Sequence, residues 1–217
     1  MLVQNGNYLG SNKKLIHNLA ASSSHYLRAK PDGMPHLAGP GASLRQAMAA
    51  HFVDGLDHIV EIGGHLNPVS GFLRYVPKSF MCIDPKAQAL EADTLNGVPC
   101  RVRHIARKFQ DVSIPVEPGS YGLVFVGYSL KPFGSQGALG AKLFELIDAS
   151  AITVLEYSPN LERASGQMEQ LLTRRETQRI ACVDFTIEDG VFEAGGYGQR
   201  RLVVLKPAIP QGEQPRA

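Results

Sequence analysis

Apolar residues recur along this chain in short runs separated by polar, helix-forming stretches, the pattern of an α/β domain. Residues 44–52 combine good helix formers with Ser43 as N-cap and predict a helix that leads into the first strand. That strand, 59–62, is short and apolar, as a parallel strand covered on both faces should be. A second apolar run, 79–83, ends at Asp84, and the spacing predicts helices over 69–75 and 85–94, with Pro85 suited to a first helical turn. Further strands are expected over 100–105, 123–128, 151–156 and 180–187, with helices over 140–147 and 161–179. The glycine-rich turn 195–198 leads into a last strand, 199–207. So short a connection has no room for a crossover helix, and the last two strands form an antiparallel hairpin.

The chemistry gathers around the first two strands. The first carries Glu61 near its end and runs into Gly63-Gly64, where the missing Cβ atoms let backbone turn sharply and lie against a ligand. Asp84 stands 21 positions past Gly63, close to the offset of roughly 20 residues at which a carboxylate reaches both ribose hydroxyls. A dinucleotide fingerprint would need G-x-G-x-x-G, but its third position here is His65 and its sixth is Pro68. Glu61-Ile-Gly-Gly-His-Leu-Asn67 instead resembles the first motif of the class I S-adenosylmethionine-dependent methyltransferases, with His65 and Asn67 where that family commonly has glycines.

The resemblance extends over residues 44 to 207 and implies a seven-stranded, mostly parallel Rossmann-like sheet with an antiparallel C-terminal hairpin and helices on both faces. It implies that Glu61, Gly63, Gly64 and Asn67 hold the amino-acid end of S-adenosyl-L-methionine, that Asp84 holds its ribose, and that Gln110 or Asp111 recognises the adenine. The pair Tyr121-Gly122 precedes the fourth strand where the family has an aromatic residue and Asp. His65 and Tyr128, at the ends of adjacent central strands, are the candidate catalytic residues, because open α/β sheets put their chemistry there. Residues 1–42 form an N-terminal extension, a substrate lid or an oligomer arm, with Tyr8, His25 and Tyr26 as candidate substrate contacts; 43–207 form the catalytic domain and 208–217 a frayed tail.

Composition narrows the class. Twenty-two basic and 20 acidic residues leave a net charge of +2, so no basic face is forced and nucleic acid is not indicated as a partner. No apolar run approaches the roughly 20 residues of a membrane span and the first residues lack a secretion signal, which makes a cytoplasmic protein the expectation. Cys82, Cys100 and Cys182 contain no C-x-x-C pair, so no metal site is expected; Cys82 and Cys182 read as buried strand residues. The expected activity is methyl transfer from S-adenosyl-L-methionine to an oxygen or nitrogen of a small molecule. Transfer of the aminocarboxypropyl group of the same cofactor, as in nicotianamine-synthase-like enzymes, is the alternative, and a binding protein that has lost activity is the third reading. Homodimer formation is left open.

Overall fold

The computed structural model describes residues 40–63, 68–85, 87–114, 117–126, 137–157, 159, 177–186 and 199–207, with backbone only at 40–43 and 137–141. Helix α1, Pro40–Phe52, opens on a proline whose missing N–H costs nothing in a first turn. It is followed by strands β1 (His58–Ile62), β2 (Ser79–Ile83), β3 (Leu90–Leu95), β4 (Val98–Ile105) and β5 (Tyr121–Phe125), then helix α2 (Gly137–Asp148). Strands β6 (Ile152–Tyr157), β7 (Thr177–Thr186) and β8 (Gln199–Pro207) complete one eight-stranded sheet. Its order is β3-β4-β2-β1-β5-β6-β8-β7. β4, β2, β1, β5 and β6 run parallel, while β8 lies antiparallel between β6 and β7. The chain therefore builds outward in one direction from β1 and in the other from β5, and the crevice between their C-terminal ends is the topological switch point where open sheets bind ligands.

Each face of the central strands is apolar because each is covered. Ile59, Phe80, Cys82, Val102, Val124 and Val154 meet Ala49 and Ala50 of α1 and Val53 just after it, together with Val69, Phe72 and Leu73. On the other face Val60, Met81, Leu123, Phe125 and Leu155 meet Leu143, Leu146 and Ile147 of α2. Gly122 is dictated by this packing: a Cβ built there would stand 2.9 Å from Val53 Cγ1 and 2.9 Å from Leu56 Cδ1. The turn that ends α1 thus occupies the space that the family's aspartate would need.

Several expectations are corrected. The sheet has eight strands, because residues 90–95 form β3 and not part of a helix over 85–94. Asn96 and Gly97 take φ of 60° and 79°, the left-handed pair that closes a two-residue hairpin, and this turn chemistry overrides the helix formers before it. The helix expected over 69–75 is a single 3-10 turn, Val69–Gly71, since Ser70, Gly71 and Pro77 break any longer helical run. Ser43 lies within α1 and not at its cap. Helix α2 starts at Gly137, three residues earlier than expected, and the fourth predicted strand runs over Tyr121–Phe125. Residues 177–179, expected at the end of a helix, belong to β7, an edge strand on which Cys182 is exposed. Cys82 is buried as expected. Strand β8 and the antiparallel closing hairpin match the expectation. Among the described residues no helix is long and apolar enough to cross a membrane.

Candidate functional site

Strand β1 delivers Glu61 into a fully buried position on the α1 side of the sheet. Its two carboxylate oxygens lie 3.0 and 2.9 Å from the backbone N–H of Val69, and the Gln46 amide of α1 donates to Oε1 at 3.4 Å. Glu61 thereby ties together the two ends of the glycine turn, because Gly63 opens that turn and Val69 resumes the fold after it. Burial pushes the Glu61 carboxyl up to about 8, against the hydrogen bonds from Val69 and Gln46 that pull it down, and the Asp84 charge adds to the rise. A carboxyl so placed holds its proton at neutral pH.

Gly63 leaves the strand with φ of 86°, the left-handed region that glycine enters without strain, and its N–H donates to Ile83 O at 2.9 Å. Among the described residues no atom lies within 4 Å of where its Cβ would be. The glycine is therefore required by backbone conformation and not by crowding from the described residues. Because Ile62 pairs with Ile83, Asp84 lies next to Gly63 at the ends of adjacent parallel strands. Asp84 is buried, its N–H donates to Ile105 O at 3.1 Å, and its carbonyl accepts the N–H of Ala87 at 3.0 Å. Backbone on both sides thus holds this acid at the strand end.

Gln110 and Asp111 lie in the 3-10 turn Phe109–Asp111. The ring of Phe109 meets that of Phe125 edge-on at 5.8 Å, which seats the turn against β5. Gln110 is half-buried; Asp111 is exposed and lines a cavity of about 580 Å³ with Leu90, Glu91, Arg103, Ile105 and Arg107. This cavity borders the β3–β4 edge, and neither Gly63 nor Asp84 lines it. The structure brings Glu61, Gly63 and Asp84 together, with the 109–111 turn beyond β4 in the chain. Gly64, His65, Asn67, Tyr128, Tyr8, His25 and Tyr26 lie outside the described residues.

One constellation escaped the sequence reading. Glu156 of β6, fully buried, accepts from Arg45 Nη1 of α1 at 3.1 Å and from Arg200 Nε of β8, both arginines being buried as well. A buried carboxylate between two guanidiniums satisfies charges that burial alone would make costly. It also fastens α1 to the far half of the sheet, as Gln46 fastens it to β1. The available signal was an acid ending an apolar strand, the same pattern that singles out Glu61.

No protein-family model matches the sequence, and no curated protein matches it. Among solved structures, the chain is similar to the N-methyltransferase NodS from Bradyrhizobium japonicum WM9 in complex with S-adenosyl-L-homocysteine. The TM-score is 0.59 at 10% identity, covering 87% of this chain and 100% of that one. Trm5b from Pyrococcus abyssi gives a TM-score of 0.50 at 8% identity over 82% of this chain and 50% of its own. The 23S rRNA methyltransferase ErmE gives 0.48 at 12% identity over 78% and 70%. The fold is that of the class I S-adenosylmethionine-dependent methyltransferases, with an added edge strand, β3.

Proposed function

We propose that this chain, on its class I methyltransferase fold, binds S-adenosyl-L-methionine across the ends of β1 and β2 and transfers the methyl group to an oxygen or nitrogen of a small molecule. The observation that carries the reading is Asp84 set beside Gly63 at the C-terminal ends of adjacent parallel strands, next to the switch point. These residues fit the cofactor: a strand-end carboxylate suits two ribose hydroxyls, and a glycine with positive φ and no described atom within 4 Å of its Cβ position lies beside it. Glu61, with Gly64 and Asn67, would shape the turn around the amino-acid end, and Gln110 or Asp111 would accept from the adenine amino group. Bound, the cofactor supplies an electrophilic methyl on sulfur.

The chain's own part is to align the acceptor and remove its proton. His65 is the candidate base and Tyr128 a candidate pocket residue, with Tyr8, His25 and Tyr26 as candidate acceptor contacts. Glu61 in its protonated form places no second negative charge beside Asp84, so the ribose hydroxyls meet one ionic acceptor.

Calorimetric titration of the full chain with S-adenosyl-L-methionine tests the proposal. Hydrogen bonds to a charged acceptor contribute roughly 1.5–3 kcal/mol each, so Asp84→Ala weakens binding more than tenfold. Unchanged affinity in the folded variant would overturn the assignment. Cofactor labelled either in the methyl or in the aminocarboxypropyl group, incubated with candidate acceptors, distinguishes methyl transfer from aminocarboxypropyl transfer and from binding alone.

A further inference from the structure

The register across the first three parallel strands sets His58, Ser79 and Arg101 side by side, on the face of Val60 and Met81 opposite α1. Neighbouring strands lie about 4.8 Å apart, so Ser79 sits midway along a row about 10 Å long. A parallel sheet is ordinarily apolar on both faces. Here three adjacent strands turn polar at one register, at the first residues of β1 and β2 and midway along β4, toward the opposite end of the sheet from Asp84. The connection from β4 to β5 crosses this side with a 3-10 turn and no helix among its described residues, and a cavity of about 300 Å³ stays open over the row.

Among the described residues its charged lining consists of Lys78, Arg101 and Arg103 against one carboxylate, Glu117. Lys78 pairs with Asp57 at 2.6 Å and Arg103 with Glu91 at 3.0 Å, both solvent-exposed pairs of the kind that exchange partners at little cost. No carboxylate among the described residues pairs with Arg101. His58 Nδ1 and Ser79 Oγ are 2.8 Å apart. If the hydroxyl donates, the imidazole keeps its other N–H; if the ring donates, the hydroxyl keeps its proton. Either tautomer leaves the pair one donor beside the guanidinium.

We infer that this cavity is a site for a phosphate group, held by Arg101, by the Ser79–His58 pair, and by Lys78 and Arg103 turned from their surface partners. Arg101 and Ser79 are register partners on adjacent strands, and a planar guanidinium grouped with a hydroxyl or imidazole donor matches a tetrahedral oxyanion. The volume lies at the low end of the roughly 300–1,000 Å³ of small-ligand sites. The phosphate is carried either by a small phosphomonoester or by a nucleic-acid backbone.

The test is a titration of the full chain with inorganic phosphate at constant ionic strength, followed by the His58 ring resonances, assigned through His58→Gln. The expected result is a saturable shift, weakened about tenfold or more in Arg101→Gln and in Ser79→Ala. Arg179→Gln, an exposed arginine of β7, leaves it unchanged. Glycerol phosphate and a short single-stranded RNA, titrated in parallel, distinguish the sources: the ligand that competes with phosphate in the wild type and loses affinity in Arg101→Gln is the class the site serves. Absence of a saturable shift, or an equal shift in folded Arg101→Gln and Ser79→Ala, overturns the inference. Affinity for S-adenosyl-L-methionine is unaffected by these substitutions, so this result and that of Asp84→Ala stand apart.

Discussion

Replacing Glu61 by Gln changes the pH dependence of stability in a direction that the structure fixes. Glu61 is fully buried, and its carboxyl, near 4.5 when solvated, is raised to about 8 in the fold. Between those values the native chain keeps a proton that the unfolded chain has lost, so stability is full below pH 4.5 and declines as pH rises toward 8. One proton corresponds to about 1.4 kcal/mol per pH unit. Glutamine retains an oxygen that can accept the Val69 N–H and never ionises. Relative to wild type, Glu61→Gln therefore gains about 2–3 kcal/mol between pH 5.5 and 7.5, and the difference levels off above pH 8. Urea unfolding of both proteins at half-unit pH steps measures this, and comparison at each pH cancels groups common to the two. A stability difference independent of pH across that interval would refute the reasoning, since it would mean that Glu61 is ionised in the fold or that water reaches it.

Three further substitutions probe the same framework. Gly122→Ala puts a methyl 2.9 Å from Val53 and Leu56 and should lower unfolding free energy by about 1–3 kcal/mol; an unchanged urea midpoint would show that α1 does not approach β5 so closely. Glu156→Gln leaves Arg45 and Arg200 buried without their shared anion and should cost about 3–5 kcal/mol, read as a fall in melting temperature, whereas a small loss would mean that water enters between them. Gly63→Ala, at φ of 86°, should cost about 1–2 kcal/mol of stability and reduce S-adenosyl-L-methionine affinity further than that, because its Cβ enters the space proposed for the cofactor; normal affinity would make the glycine a matter of backbone alone.

The parallel core was legible because its signal is local and its burial two-sided. Ile59 to Ile62 and Ser79 to Ile83 are short runs bounded by acids and turns, and both became strands close to their expected limits. The hairpin of β3 and β4 was misread for a physical reason. Ala87 to Leu95 has helix-compatible composition, and only Asn96-Gly97, where both residues take positive φ, decides for a two-residue turn. Once that turn forms, Leu90 to Leu95 pair with β4 and replace the helix that an α/β pattern leads one to expect. The segment after Val69 failed differently: its apolar residues do enter the core, but Ser70, Gly71 and Pro77 leave only one helical turn to carry them there.

The site divides along similar lines. The offset from Gly63 to Asp84 is a property of one strand-turn-strand unit, and the structure puts the two residues side by side at adjacent strand ends. What sequence spacing could not supply is the third dimension, the helix that packs across the strands. Gln46 bonds to Glu61 across 15 residues of chain and Arg45 to Glu156 across 111. No periodicity links those positions; they meet because consecutive residues of α1 reach the ends of two different strands, β1 and β6. That arrangement gives the two buried acids separate tasks. Glu61, tied to Val69, governs the geometry of the turn that is proposed to hold the cofactor, whereas Glu156, between two arginines, fixes the helix from which Gln46 reaches Glu61. Loss of Glu156 should therefore disturb the glycine turn indirectly, and S-adenosyl-L-methionine binding in Glu156→Gln should be restored by a saturating ligand more readily than in Asp84→Ala. The first variant loses a support, which binding energy can offset by mass action, while the second loses the contact itself.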